Sequence, residues 1–394
     1  MILSQTSMRP GRAVPFGRPQ AACAHDGDPV DLVKIGQPRV ASTRGLARTG
    51  EETARKVAGS ILSGLKTGFV QAYMDPQQVY QRARELAASY PHLIQLVESP
   101  LRTEGYDGSR VDLRGPAPLY HLRIGPRDDP DRDRKTGVVH LAAPHAREHC
   151  QPVGMLELVE QLVANYDPES TDPAIRANTE LVRNLDIFVL PCTNPDGTNY
   201  SFYDDRDWRK NRSREEGGIG VDANRNYPFN FETRRDYDSE TYAGPEPLSE
   251  VETRHIVSVV DEHPNILYLC DWHSYAEEIR RPWGVSKQDK PIYDRMHRHM
   301  REAIESVRGR RYQTVVSKVA RGTSDDYFYH QRRIFATVVE DAREFQPAWE
   351  EASQVVQEIA AGARGLLQFA LNSSRMGVLS AAPPARVPTL TPEE

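Results

Sequence analysis

Long apolar runs are missing from this chain. No stretch of about 20 consecutive apolar residues occurs in its 394 residues, so no membrane-spanning helix is expected. Cysteine is scarce: Cys23, Cys150, Cys192 and Cys270 lie far apart and form no C-x-x-C pair, which argues against a disulfide framework. Positive charge is not in excess. Lys plus Arg number 50 against 56 Asp plus Glu, a net charge of −6, so bulk electrostatics offer nothing to nucleic acid. Lysine is rare, with eight residues, so arginine is abundant and any single arginine carries little information. The first 30 residues hold no apolar stretch of signal-peptide length, and the expected location is the cytoplasm, secretion not being excluded. Gly and Pro together make up about one residue in seven, too few for a collagen-like or low-complexity chain. A chain of this length with 38% apolar residues can bury a large core.

What is present is an alternation of strands and helices. Residues 1–71 have weak periodicity and read as a partly disordered extension, with a short helix around Thr53–Leu65. From Pro76 the pattern sharpens. PQQVYQRARELAASYP places Val79, Ala83, Leu86 and Ala87 on one helical face and is stopped by Pro91. Strands are expected over Leu119–Gly125, Gly137–His145, Leu185–Pro191, Asn265–Ser274 and Arg333–Glu340. Helices are expected over Pro152–Tyr166, Ser249–His263, Ile292–Val307 and about Ala348–Leu371, and residues 373–394 read as a Pro-rich disordered tail. Apolar, β-branched strands alternating with helices argue for a mainly parallel or mixed sheet covered on both faces, an α/β fold. Ligands of such sheets sit beyond the carboxyl ends of the strands, so the polar residues there belong together.

His145 ends one of these strands and Glu148 follows three residues later; His273 ends another. Two His and one Glu form a ligand set typical of catalytic zinc, with the fourth position left to water. H-x-x-E alone is common, and the argument rests on both His lying at strand ends. Glu340 ends a third strand, where a carboxylate can act as general base or simply face solvent. The long loop between carries NPDG (Asn194–Gly197), DWRKNR (Asp207–Arg212) and GVDANRNY (Gly220–Tyr227). Its Arg209 and Arg225 suit carboxylate binding or oxyanion stabilisation, and NPDG also reads as a plain turn. Cys150, Cys192 and Cys270 read as buried small apolar residues rather than ligands.

In order along the chain, H-A-R-E, N-P-D-G, W-R-K-N-R, G-V-D-A-N-R-N-Y, D-W-H-S-Y and a strand-final Glu resemble the zinc carboxypeptidase family of the A/B type, over about residues 72–372. The resemblance implies a single catalytic domain built on a mixed eight-stranded sheet sandwiched by helices. It implies one Zn2+ held by His145, Glu148 and His273, with Glu340 as the base that deprotonates a zinc-bound water. Arg209 would hold the oxyanion, Asn224 and Arg225 would clamp the C-terminal carboxylate of a peptide substrate, and Tyr275 would line the neighbouring subsite.

In G-T-S-D-D-Y, Asp325 falls where members specific for basic residues carry an acid at the pocket floor, which implies a preference for C-terminal Lys or Arg. Asp325 and Asp326 equally fit the cap of a helix beginning near Tyr327. Lys318 stands where the family usually has a tyrosine on a mobile loop, and the nearest earlier tyrosine is Tyr312. That departure points to a specialised substrate. The alternatives are a related zinc amidohydrolase acting on an acyl-amino acid or a biosynthetic peptide conjugate, and a non-catalytic zinc-stabilised binding protein. The presence of every candidate catalytic residue weighs against the last.

Overall fold

The computed structural model describes residues 64–215, 217–234, 236–317 and 321–376. The expectations for residues 1–63, Lys318 and 377–394 lie outside these, as does Cys23. In chain order the elements are α1 (Pro76–Ser89), β1 (Ile94–Arg102), β2 (Pro118–Ile124), β3 (Thr136–Ala142), α2 (Cys150–Ala164), α3 (Pro173–Asn184), β4 (Leu185–Leu190), α4 (Pro195–Tyr203), β5 (Arg214–Glu215), β6 (Gly218–Ile219), α5 (Val251–Glu262), β7 (Ile266–Ser274), β8 (Glu278–Arg281), α6 (Lys290–Arg308), β9 (Gln313–Val316), α7 (Ser324–Arg332), β10 (Phe335–Asp341) and α8 (Trp349–Arg375).

Eight strands form one mixed sheet in the order β1-β2-β4-β3-β7-β10-β8-β9. Its centre, β4-β3-β7-β10, is parallel, and β2 and β8 run antiparallel to their central neighbours. Side chains on β3 alternate between two apolar layers: Val138 and Ala142 face the layer under α1, α2, α6 and α8, while Val139 and Leu141 face α5 and α7. Burial on both faces is why these strands read as continuous apolar runs. In α8, Val355, Val356, Ile359, Ala360, Ala363, Leu366, Leu367 and Ala370 recur at helical spacing and are buried.

Three strands escape an apolar-pattern reading. β1 is an edge strand whose sequence, IQLVESPLR, is half polar; β8 (EIRR) and β9 (QTVV) are four residues each. NPDG opens a helix rather than a plain turn. Asn194 accepts the Gly197 N–H (3.0 Å), and Pro195 occupies the first turn of α4, where its missing N–H is not needed. Residues 64–71 are held to the domain: Glu157 accepts from the Gly68 (2.6 Å) and Val70 (3.0 Å) backbone N–H groups. Cys150, Cys192 and Cys270 are buried free thiols in the apolar layer under α2 and α8. Tyr312 is buried and donates to Glu358 Oε2 (3.1 Å).

Candidate metal centre and active site

The parallel centre of the sheet delivers its polar side chains at one edge. β10 pairs with β7 so that Glu340 lies beside His273. β3 stops at Ala142, and the chain turns through Ala143, in the left-handed region at φ 54°. The loop to α2 is pinned from several sides. Asn194 Nδ2 donates to the Pro144 carbonyl (3.0 Å) and the Ala146 N–H to the Arg209 carbonyl (2.8 Å). This loop carries His145 and Glu148 to His273.

The three side chains are buried and their donor atoms converge. His145 Nδ1 lies 2.8 Å from Glu148 Oε1 and 3.0 Å from His273 Nδ1, and His273 Nδ1 lies 3.3 Å from Glu148 Oε2. The ligand atoms all lie within 4.8 Å of one another. Two acids sit behind the imidazoles. His145 Nε2 is 3.1 Å from Asp222 Oδ1, and His273 Nε2 is 3.1 Å from Asp271 Oδ2. A carboxylate at Nε2 takes the ring proton there and leaves the Nδ1 lone pair for a cation. At His145 this geometry places the ring proton on Nε2; His273 Nε2 lies between Asp271 Oδ2 and the Asn224 amide nitrogen (3.2 Å). Glu148 Oε2 is buried with no hydrogen-bond donor. Two nitrogen lone pairs and an unpartnered carboxylate oxygen facing one point fit a zinc ion.

Asp222 ties the ligand to the rest of the site. Its Oδ2 accepts from Arg209 Nε (3.1 Å) and Nη2 (2.9 Å), and its Oδ1 also accepts the Asn224 N–H (2.9 Å). Its burial is offset by Arg209, Arg225 and His145, which hold the acid far below its ordinary pKa. α7 is fastened to the same point: Ser324 donates its N–H to Asn224 Oδ1 (2.8 Å) and its hydroxyl to Asp271 Oδ2 (2.6 Å).

A cavity of about 680 Å³ opens in front of these groups. His145, Glu148, Arg209, Asn224, Arg225, Tyr275, Asp325 and Glu340 all line it. Arg225 donates to the Asn224 carbonyl (2.6 Å). Tyr275 is half exposed at the rim, edge-on to Phe345. Asp325 is buried in the first turn of α7, after the N-cap Thr323, and accepts from the Ser317 hydroxyl (2.8 Å). Asp325 lines the cavity, and neither it nor Asp326 caps the helix: the helix starts earlier than expected, at Ser324, and Asp326 instead accepts the Trp283 N–H (2.9 Å). No helix among the described residues is long and apolar enough to cross a membrane.

The zinc carboxypeptidase family model matches residues 79–362. The chain belongs to this family. Similar curated proteins include carboxypeptidase A4 of Mus musculus, 30% identical over 271 residues that cover 66% of this chain and 60% of that protein. Carboxypeptidase B of Astacus astacus is 31% identical over 274 residues, 65% of this chain and 81% of that protein. The chain thus spans about three fifths of the mouse relative's length. The fold is that of carboxypeptidase A from Helicoverpa armigera, with a TM-score of 0.65 at 22% identity, covering 84% of this chain and 82% of that one. As a family member the chain keeps a His–Glu–His group that could hold a metal ion.

Sequence reasoning missed the groups that support these residues. Asp222 and Asp271 lie inside the motifs named above; Asp271, two residues before the candidate ligand His273, had that proximity as its signal, whereas Asp222 backs His145 from 77 residues away. Glu278 and Arg280, which also line the cavity, had none, because β8 reads as loop.

Proposed function

We propose that the chain is a zinc-dependent carboxypeptidase that removes the C-terminal residue of a peptide, with Lys or Arg preferred. The observation that carries this reading is the convergence of His145 Nδ1, Glu148 and His273 Nδ1, each imidazole backed by a buried acid, at a cavity that also holds Glu340, Arg209, Asn224 and Arg225. Zinc bound to the three ligands would supply a Lewis acid that polarises the scissile carbonyl and makes water more acidic. Glu340 takes the proton from the attacking water and passes it to the departing amine. Arg209, oriented by Asp222, faces the negative charge that develops on the carbonyl oxygen. Arg225 and Asn224 fix the free carboxylate and so orient the last peptide bond toward Glu340 and the residues that would hold the metal. Asp325 receives a cationic side chain.

The test is a peptide library varied at its last residue, incubated with and without a chelator and followed by mass spectrometry. Loss of a single C-terminal Lys or Arg, abolished by chelator and by Asp325→Asn, is expected. A preference for aromatic or acidic ends refutes the role of Asp325. Cleavage of acyl-amino acids with peptides left intact moves the assignment to an amidohydrolase.

A further inference from the structure

A base must hold one oxygen toward the water it deprotonates, and the nearest strand works against this at Glu340. β8 and β10 pair so that Glu278 stands directly opposite Glu340, two like charges across the strands. With nothing between them, the two carboxylates would turn apart. Arg280 bridges them. It follows Glu278 by two residues on β8 and so shares its face of the sheet. Its Nε and Nη2 lie 2.9 and 2.8 Å from Glu278 Oε2, and its Nη1 donates to Glu340 Oε1 (3.0 Å). The Arg280 and Glu340 side chains are 34% and 16% exposed, so water screens this pair less than one on the open surface.

The contact sets Arg280 apart from the other arginines of the cavity. Arg209 is committed to Asp222 Oδ2, and Arg225 to the Asn224 carbonyl. Among the described residues, Arg280 is the one side chain within hydrogen-bond distance of Glu340. It takes Oε1 and leaves Oε2 to the cavity, so the two oxygens have separate tasks. Glu278 Oε2 accepts from two nitrogens of Arg280 and fixes the plane of the guanidinium. Asp325 pairs with Ser317 and stands outside this chain. Glu278, Glu340 and Asp325 against one guanidinium leave the wall negative, in keeping with a basic C-terminal residue.

We propose that Arg280 is a positioning residue for the base: braced by Glu278, it anchors Glu340 Oε1 so that Oε2 faces the attacking water. This rests on the carboxypeptidase reading and adds a residue to it. Arg280 makes and breaks no covalent bond, and its donors stay on the two carboxylates while Oε2 takes up and returns the proton. A displacement of about 1 Å can cost about 100-fold in rate, so loss of the anchor is read in kcat. Substrate binding runs through Arg225, Asn224 and Asp325 and does not require it.

The experiment measures kcat and KM of the zinc-loaded protein on a peptide ending in Lys. Arg280→Gln is expected to lower kcat at least tenfold with KM no more than twofold above the parent. Arg280→Lys should regain at least threefold of that loss, because an ammonium group reaches one carboxylate but lacks the fork. Adding Glu278→Gln to Arg280→Gln should raise kcat at least threefold, since the unbridged repulsion disappears, whereas general damage to the site makes the double variant worse than the single. Urea unfolding of the parent, Arg280→Gln, Glu340→Gln and their combination reads the contact without turnover. The combination is expected to unfold at least threefold less readily than the product of the two single effects. A kcat of Arg280→Gln within threefold of the parent, a double variant slower than the single, or strictly additive unfolding overturns the proposal. So does a raised KM with kcat kept, which makes Arg280 a substrate-binding residue. A parent that cleaves no peptide refutes the carboxypeptidase reading, and the unfolding cycle then still decides whether Arg280 holds Glu340.

Discussion

Replacing Asp222 by Asn tests how the site is held together. The change removes one charge and one acceptor from a fully buried residue whose two oxygens serve different partners. Oδ1 meets His145 Nε2 and the Asn224 N–H, while Oδ2 takes two donors of Arg209. Asn can satisfy only one side. With its carbonyl toward Arg209, the amide NH2 faces His145 Nε2, drives the ring proton to Nδ1 and removes a ligand lone pair. With its carbonyl toward His145, a partly buried guanidinium loses its counter-charge. Loss of an acid behind a ligating His typically weakens metal binding 10–100-fold, about 1.4–2.7 kcal/mol. Breaking the Arg209 pair adds a stability loss of about 3 kcal/mol. Zinc affinity read by competition with a chromophoric chelator, alongside urea unfolding, measures both. Zinc affinity within threefold of the parent would falsify the assigned ligand tautomer.

Three further outcomes are expected. Glu340→Gln should lower kcat by several orders of magnitude while zinc content stays stoichiometric; turnover within tenfold of the parent removes Glu340 as the base. Gly322 sits at φ 66°, and a Cβ there would fall 2.0 Å from the Arg225 carbonyl oxygen. Gly322→Ala should therefore cost about 2–3 kcal/mol and raise KM by displacing Arg225, and an unchanged melting temperature with unchanged KM contradicts that packing. Burial pushes His255 down to about 4 and His121 down to about 3. Between pH 6.5 and 4 the unfolded chain binds protons that the native state refuses, so stability falls as pH falls, by about 1.4 kcal/mol per unit for each His. His255→Leu should flatten the slope of unfolding free energy between pH 6.5 and 4 by that amount; an unaltered slope places the proton elsewhere.

The central strands and the ligands they carry were legible because the same physics writes both. A strand buried on two faces leaves an uninterrupted apolar run, and a charged or imidazole side chain at its end stands out against it. That is how His145, His273 and Glu340 surfaced. β8 and β9 stayed hidden because four-residue strands near a sheet edge need no apolar period. With them went Glu278 and Arg280, whose meaning depends on standing across from β10. Asp222 was visible as a letter, but only its burial against both Arg209 and His145 gives it a task. NPDG shows the opposite ambiguity: the residues that cap a helix are also those that make turns, and the choice falls to the residues after them and the backbone they adopt.

The nitrogens of His145 and His273 meet across a sequence separation of 128 residues. A ribosome making this chain has long since released the first imidazole and its carboxylate before the second exists. Contacts so distant in sequence form late and slowly. The cation would therefore meet a nascent protein with only two of its three donors, too few to organise the polypeptide around itself. Loading would follow assembly of the β3–β7 pair, so zinc supplied during refolding would stabilise the finished protein without hastening its formation.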